Sequence, residues 1–346
     1  MLKRSRVLVT GAGSGVGQGI VKALRLSNLP VTIISADIST MNITLYRSDE
    51  AILIPRVETS GALEEIISLL IQHDIDVVMI GSEFELSFFS RYKQIIEAET
   101  GALVIASPLE TINVADDKWL TAEFLRKASL PYAKSCVPSD LDEALDLAES
   151  LKYPLVLKTR RGTSSRHVHI IENDSQLKEL YTSTPWPMLQ ELISMPSSEL
   201  GTEYTCSVFK TSDGNLIGPF TARRTVRGGT SWHIEVKQFE HLFPSLLAIG
   251  ESIEFIGSLN IQLMYTNKGA IPFELNARFS GTTAVRAHFG FNEPAMVLRN
   301  YLYGEKIKMP SIRTGIAMRY HEEVFIDEIS AEELSPGQKG TIEQWF

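Results

Sequence analysis

The chain is predicted to be an α/β protein, a parallel sheet followed by a larger and mostly antiparallel one, and three observations carry this expectation. Residues 6–107 alternate five short β-rich runs with three helical patterns, and such βαβ alternation makes a parallel sheet. From Met188 onward strands dominate, and two of them flank a short turn as an antiparallel hairpin. The length of 346 residues, set against about 150 per domain, allows two to three domains with large cores.

Taken in order, Val7–Thr10, Val31–Ala36, Ala51–Ile54, Val77–Ile80 and Leu103–Ala106 are the strands of the first sheet, with helices over 16–26, 60–73 and 84–99 between them. Two amphipathic helices follow between Asp116 and Ser150, the second opened by Pro138-Ser139-Asp140, whose side chains can cap free N–H groups. A small module comes next, with Leu155–Lys158 and His167–Ile171 as strands around the loop 159–166 and Asp174–Tyr181 as a helix. The second sheet is expected to hold Met188–Ile193, Glu203–Phe209, Leu216–Arg224, His233–Val236, Leu259–Tyr265 and Ala270–Asn276. Helices over Leu242–Glu254 and Glu293–Tyr303 accompany it, and Ile312–Tyr320 adds a last strand before an acidic tail. There is no internal repeat.

Composition narrows the function classes. Apolar residues make up 44% and charged residues 22%, which excludes disordered and low-complexity proteins. The two cysteines, Cys136 and Cys206, form no Cys-x-x-Cys pair, so neither a disulfide framework nor a cysteine-rich zinc site is expected. A net charge of −9 repels phosphate backbones and anionic lipid, so neither nucleic acid nor a membrane surface is an expected partner. Lys3, Arg4 and Arg6 precede only the short apolar run Val7–Val9, neither a secretory core nor a span of about 20 apolar residues, and a cytoplasmic location follows as the expectation.

The first strand runs into Thr10-Gly11-Ala12-Gly13-Ser14-Gly15-Val16-Gly17 and then a helix, the setting in which glycines let a backbone approach a pyrophosphate. The G-x-G-x-x-G spacing fails at Val16, whereas T-G-x-x-x-G-x-G fits, and Asp37 stands about 20 residues on, where a ribose-binding acid belongs. A nicotinamide-dependent oxidoreductase is therefore one reading, and a tight strand-to-helix turn that binds nothing is the other. Short-chain dehydrogenases with this loop use a Tyr four residues before a Lys, and none of the ten tyrosines has that partner. The turn reading is preferred.

The strongest chemical signal is Asn260-Ile261-Gln262, then Asn267-Lys268-Gly269, then Glu274-Leu275-Asn276-Ala277-Arg278. Side chains two apart on a strand share a face, so Glu274, Asn276 and Arg278 point together. A three-residue loop ending in Gly269 sets Gln262 opposite Glu274 and Asn260 opposite Asn276; a slip by one residue would split the polar set across both faces. A carboxylate, amide oxygens and an arginine on one face suit a hard divalent cation bridging phosphate oxygens. The competing interpretation is the polar outer face of an antiparallel sheet.

Other segments fall in a specific order around this hairpin: Asp117-Lys118-Trp119 opening a helix, the strand Tyr153–Lys158 ending in a cation, Leu189–Ile193, and Gly201–Thr205. With them, residues 108–310 resemble the ATP-grasp superfamily, and within it one synthetase unit of the carbamoyl-phosphate synthetase large chain. The resemblance implies an ATP-grasp fold, two α+β subdomains gripping ATP, preceded by a Rossmann-like domain over 1–107. Residues 108–186 would then be a helical segment and the small lid subdomain, 187–310 the large subdomain with the metal site, and 311–346 a strand and acidic tail.

Residue by residue, the resemblance makes Lys118 and Lys158 the cations on the nucleotide phosphates, and Gly162 and Ser164 part of the loop that closes over them. Gln190, Glu191, Leu192 and Ile193 become the adenine hinge and Glu203 the ribose acid. Gln262, Glu274 and Asn276 become the metal ligands, with Arg278 beside the transferred phosphate. Gln262 departs from the acidic residue more general in the superfamily but is shared with the carbamoyl-phosphate branch. Arg224, in the run Arg223–Ser231, is the candidate anchor for the acceptor carboxylate, and Arg286, after Ser280–Thr283, is a second. His233 and His288 are candidates for moving protons, and His167 and His169 read as strand rim rather than a metal pair.

The implied activity is an ATP-dependent ligase using Mg²⁺, or Mn²⁺ in its place. A carboxylate attacks the γ-phosphorus and an amine or other nucleophile opens the acyl phosphate. Such phosphoryl transfer needs positioning and charge neutralisation rather than a protein nucleophile. The expected partners are a small-molecule carboxylate and an amine, and the expected assembly is a homodimer. With one ATP-grasp unit, the chain is not expected to perform the whole carbamoyl-phosphate reaction. A nucleotide-binding module without catalysis is the third reading.

Overall fold

The computed structural model describes residues 4–162, 167–193 and 201–342. The first unit follows the predicted alternation: β1 (Ser5–Thr10), α1 (Gly15–Arg25), β2 (Val31–Asp37), β3 (Glu50–Leu53), α2 (Ala62–Gln72), β4 (Val77–Ile80), α3 (Glu83–Thr100) and β5 (Leu103–Ile105). Its five strands are parallel in the order β3-β2-β1-β4-β5. Every residue of β2 is buried, as expected of a strand covered on both faces. The strand order reverses between β1 and β4, so a crevice opens at their carboxyl ends, where the glycine-rich turn and Gly81-Ser82-Glu83 lie.

Two helices lead on, α4 (Leu109–Asp116) and α5 (Lys118–Lys127). The first is not foreseen by the sequence reading, which starts its helices at Asp116. Asp117 separates them, and its carboxylate accepts from the N–H groups of Trp119 and Leu120, capping α5. Next come β6 (Ser135–Cys136), α6 (Leu141–Leu151), β7 (Leu155–Thr159), β8 (Val168–Ile171), α7 (Asp174–Tyr181) and β9 (Pro187–Glu191). These strands form a four-stranded sheet in the order β6-β9-β7-β8, backed by α6 and α7 over Leu155, Leu157, Leu177 and Leu189. Met188–Glu191 thus belongs to the small sheet and not, as the sequence suggests, to the large one: β9 pairs with β7 along its whole length.

The third sheet contains β10 (Glu203–Lys210), β11 (Leu216–Phe220), β12 (Ala222–Arg227), β13 (Thr230–Val236), β14 (Gly257–Thr266), β15 (Gly269–Asn276) and β16 (Gly315–Met318), with α8 (Phe243–Ser252) between β13 and β14. The expected single strand Leu216–Arg224 is two, because β11 pairs with the far half of β10 and β12 with its start. After β15 come α9 (Thr283–His288) and α10 (Glu293–Val297), the latter continued by a π-helical turn to Leu302.

The hairpin register is the expected one, with Gln262 opposite Glu274 and Asn260 opposite Asn276, but it arises differently. The turn holds two residues, Asn267 and Lys268, between paired Thr266 and Gly269, and a bulge at Phe273 shifts the pairing by one before Glu274 is reached. One face of the parallel sheet and one face of the large sheet share a core through Val7, Ile20, Ile33, Phe209, Phe220 and Phe291. The crevice at the ends of β1 and β4 is thereby fixed against the polar end of the hairpin.

Candidate active site

A cavity of about 510 Å³ lies where the small sheet, the large sheet and the β1/β4 crevice meet. It is lined by thirteen of the fifteen residues singled out above: Lys118, Lys158, Gly162, Gln190, Glu191, Leu192, Ile193, Glu203, Arg224, Gln262, Glu274, Asn276 and Arg278. Ser164 lies outside the described residues, and Arg286 does not reach the cavity.

The hairpin face is a connected polar row. Glu274 Oε1 accepts from Gln262 Nε2 at 3.2 Å and from Asn276 Nδ2 at 3.0 Å. The amide oxygens face outward onto arginines: Gln262 Oε1 accepts from Arg224 at 2.7 Å, and Asn276 Oδ1 from Arg278 at 2.9 Å. Arg278 also pairs with Glu83 at the start of α3, which ties the hairpin to the parallel sheet. Burial, together with the charge of Arg286, lowers the Arg278 guanidinium to about 10. This set fits a magnesium ion that keeps phosphates as its other ligands, because such an ion needs one or two carboxylates and Glu274 supplies one. Among the described residues no cluster of three His, Cys, Asp or Glu exists that would hold a cation without them.

Opposite the hairpin, Lys158 at the end of β7 is 6% exposed and donates to Gln190 Oε1 at 2.9 Å. Burial and the charge of Lys118, opposed by Glu274, push its ammonium down to about 8. Lys118 is set by its neighbours: its N–H donates to Arg160 O, and its Nζ to Gly162 O at 2.9 Å. The buried Asp117 carboxylate grips the Arg160 guanidinium at 2.6 and 3.1 Å. Burial works to raise that carboxyl, but Arg160 and the α5 N–H groups outweigh it and hold it below the usual range. The base of the loop and the helix bearing Lys118 are therefore clasped together.

At the other end Glu191 exchanges backbone and side-chain bonds with Lys134, so one oxygen of the expected adenine reader is already engaged. Val156, Ile193, Met264 and Phe273 add apolar surface there. Met264 lies two residues from Gln262 on the same strand face, so alternation could have found it. Phe273 is the bulged residue and carries no such signal.

The two arginine candidates are placed differently. Arg224 lines the cavity, where its Nη atoms donate to Ser231, Glu203 and Gln262 while its buried Nε has no hydrogen-bond partner. Arg286 is fully buried, pairs with the equally buried Glu293 at 3.1 Å and donates to Asn260 Oδ1 at 2.5 Å. It does not itself line the cavity, but its partner Asn260 does. Arg319, next after β16, is the arginine the sequence reading missed: it lines the cavity, donates to Gly281 O, and has no carboxylate partner among the described residues. Nothing local marks it, since only the pairing of β16 with β13 brings it there. Neither His233 nor His288 lines the cavity; His233 Nδ1 is 3.1 Å from Thr225 Oγ1.

The glycine-rich turn is internally satisfied. The Gly13 N–H donates to Asp37 Oδ2 at 2.7 Å, and a Cβ on Gly13 would lie 2.1 Å from Asn42 Oδ1, so this part of the turn is packed against the protein's own side chains. Gly11 holds φ +48°, and Gly17 packs so closely that a Cβ would fall 2.4 Å from Gly11 O. These glycines serve helix–strand packing. Only Ser14, Gly15 and Val16 of the turn face the cavity.

Three sheets close on one cavity, in which a cation-lined strand end faces an amide–carboxylate hairpin, the arrangement expected of an ATP-grasp fold. A family model described as "ATP-grasp in the biosynthetic pathway with Ter operon" matches residues 189–324, and one described as "PylC-like, N-terminal domain" matches 7–105. By these matches the chain carries an ATP-grasp domain preceded by a PylC-like N-terminal domain. Among similar solved structures, N5-carboxyaminoimidazole synthetase from Staphylococcus aureus complexed with ADP has 16% identity and a TM-score of 0.72, covering 92% of this chain and 83% of that one. Biotin carboxylase from Campylobacter jejuni, as a β-γ-ATP complex, has 17% identity and a TM-score of 0.71 over 91% of this chain and 74% of that one. The biotin carboxylase domain of the Hydrogenobacter thermophilus 2-oxoglutarate carboxylase, a dimer with MgADP and bicarbonate, has 17% identity and a TM-score of 0.71 over 100% of this chain and 84% of that one.

Proposed function

We propose that the protein joins a small-molecule carboxylate to an amine at the expense of ATP, through an acyl phosphate. The observation that supports this most is the hairpin row Gln262, Glu274, Asn276 and Arg278 facing Lys118 and Lys158 across one cavity. ATP enters with its adenine against Met264, Ile193 and Val156, its ribose at Glu203, and its phosphates between the lysines and the hairpin. Glu274, with the oxygens of Gln262 and Asn276, holds the magnesium ion, which supplies charge neutralisation on the phosphates. Arg278 orients the γ-phosphoryl group. The acceptor carboxylate is seated by Arg319, beside Ser280-Gly281-Thr282, since Arg224 and Arg286 are committed elsewhere.

A carboxylate oxygen bonds to the γ-phosphorus as the bond to the bridging oxygen breaks, and ADP leaves. The amine nitrogen then bonds to the acyl carbon, the acyl C–O bond breaks, and phosphate departs with the proton the nitrogen loses. The protein positions and neutralises at both steps. A cytoplasmic enzyme is proposed, in keeping with the absence, among the described residues, of a helix long and apolar enough to cross a membrane. A homodimer is proposed for the assembly. ADP release measured with a panel of carboxylates and amines tests the reading: release should require magnesium and a carboxylate, and a uniform lack of release across the panel would contradict it.

A further inference from the structure

A second cavity, of about 520 Å³, opens off the first. The two share Glu83, Phe84, Ala115, Asp116, Thr159, Gly162, Asn276 and Arg278, so they meet where the proposed transferred phosphate lies. Away from that junction the walls are largely apolar, with Leu86, Ile112, Pro185 and Ala277, while Ser87, Arg161 and His167 supply the polar remainder. Two aromatic rings flank the space while standing largely in solvent, Phe84 at 78% exposed and Trp186 at 68%. Isolated exposed apolar residues are ordinary, but two large rings on one cavity are a surface prepared to cover something.

We propose that this cavity is the seat of the nucleophile, and that the nucleophile is a small primary amine with an apolar, ring-sized body. The charges at the junction select the ammonium end. Glu83 is paired with Arg278, and Asp116 lies 3.9 Å from Arg161, which also serves Asp117 at 3.6 Å. A phosphoryl group arriving at Arg278 takes over that guanidinium and releases Glu83, whose carboxylate then faces the second cavity with a charge to satisfy. An ammonium group satisfies it, and once that group has passed one proton to the Glu83 carboxylate the neutral amine nitrogen lies beside the acyl carbon. The body of the amine lies between the Phe84 and Trp186 rings, as an aromatic or branched apolar group does. Placing the acyl carbon at this junction rests on the ligase reading above; the binding site itself does not.

Calorimetric titration of the full chain, with magnesium and a nonhydrolysable ATP analogue present, tests the proposal using 2-phenylethylamine and ethylamine as probes. The larger amine should bind at least about ten-fold more tightly, because its ring is removed from water. Trp186→Ala should remove most of that difference while leaving the analogue's affinity as in the parent, and Phe84→Ala, whose ring also borders the nucleotide cavity, should likewise remove most of it. Glu83→Gln should weaken both amines alike. Equal binding of the two amines by the parent, or a preference that survives both aromatic substitutions, would overturn the proposal. If the amines bind as described and no carboxylate supports ADP release, the ligase reading fails while the amine site stands.

Discussion

Glu274 carries the formal negative charge of the hairpin face, and both neighbouring amides donate to it. In the proposed function its removal would take away the magnesium ion's anionic ligand, and it leaves those amides without their acceptor. Glu274→Ala should therefore lower ADP release by about two to three orders of magnitude, the usual effect of losing one group aimed at transition-state charge. A circular dichroism spectrum like the parent's would show that the fold persists. Lys158 makes a second prediction at this scale. Its ammonium is protonated below about 8, and only that form neutralises phosphate, so kcat/KM for ATP should fall as pH rises through that value. Lys158→Arg should move the falling limb out of the measured range, because a guanidinium stays charged. A limb unchanged in the variant would assign it to another group.

The elements explain which residues a sequence can and cannot reveal. The hairpin was legible because alternation and a glycine turn constrain register; the correct pairing nonetheless needed a two-residue turn and a bulge at Phe273 in place of a three-residue loop. Arg286 shows the opposite case. It follows the metal strand closely and looks available, but α9 and α10 fold it inward onto Glu293, which also accepts from Ser207 and Ser258. Arg286→Ala should cost about 3–5 kcal/mol of stability, since it leaves Glu293 charged and unpaired in the core. Denaturant unfolding checks this, and a stable variant with a raised acceptor requirement would return Arg286 to the cavity. Gly17→Ala should destabilise by about 1–3 kcal/mol, because its methyl group meets the Gly11 carbonyl. A lowered melting temperature is the expected result.

Across the molecule, what the sequence displayed were local patterns, and what it hid were long-range pairings. The βαβ alternation and the ordered cationic and hinge segments led to the ATP-grasp class, which the family models and the fold share. The transfer of β9 to the small sheet, the splitting of Leu216–Arg224 into β11 and β12, and the arrival of Arg319 from the C-terminal strand all depend on contacts between distant segments. The glycine-rich turn shows the same lesson in reverse. A motif that reads locally as a dinucleotide site is packed against Asp37 and Asn42 and contributes only Ser14, Gly15 and Val16 to a cavity built mostly by the rest of the chain.

The position of an adenine nucleotide decides the function. A crystal structure with magnesium and a nonhydrolysable ATP analogue measures this directly. Phosphates are expected between Lys118, Lys158 and Arg278, with the ion on Glu274. A nucleotide lying instead along the Gly11–Gly17 turn, or a bound analogue whose phosphates leave Glu274 and Lys158 untouched, would contradict the proposed function.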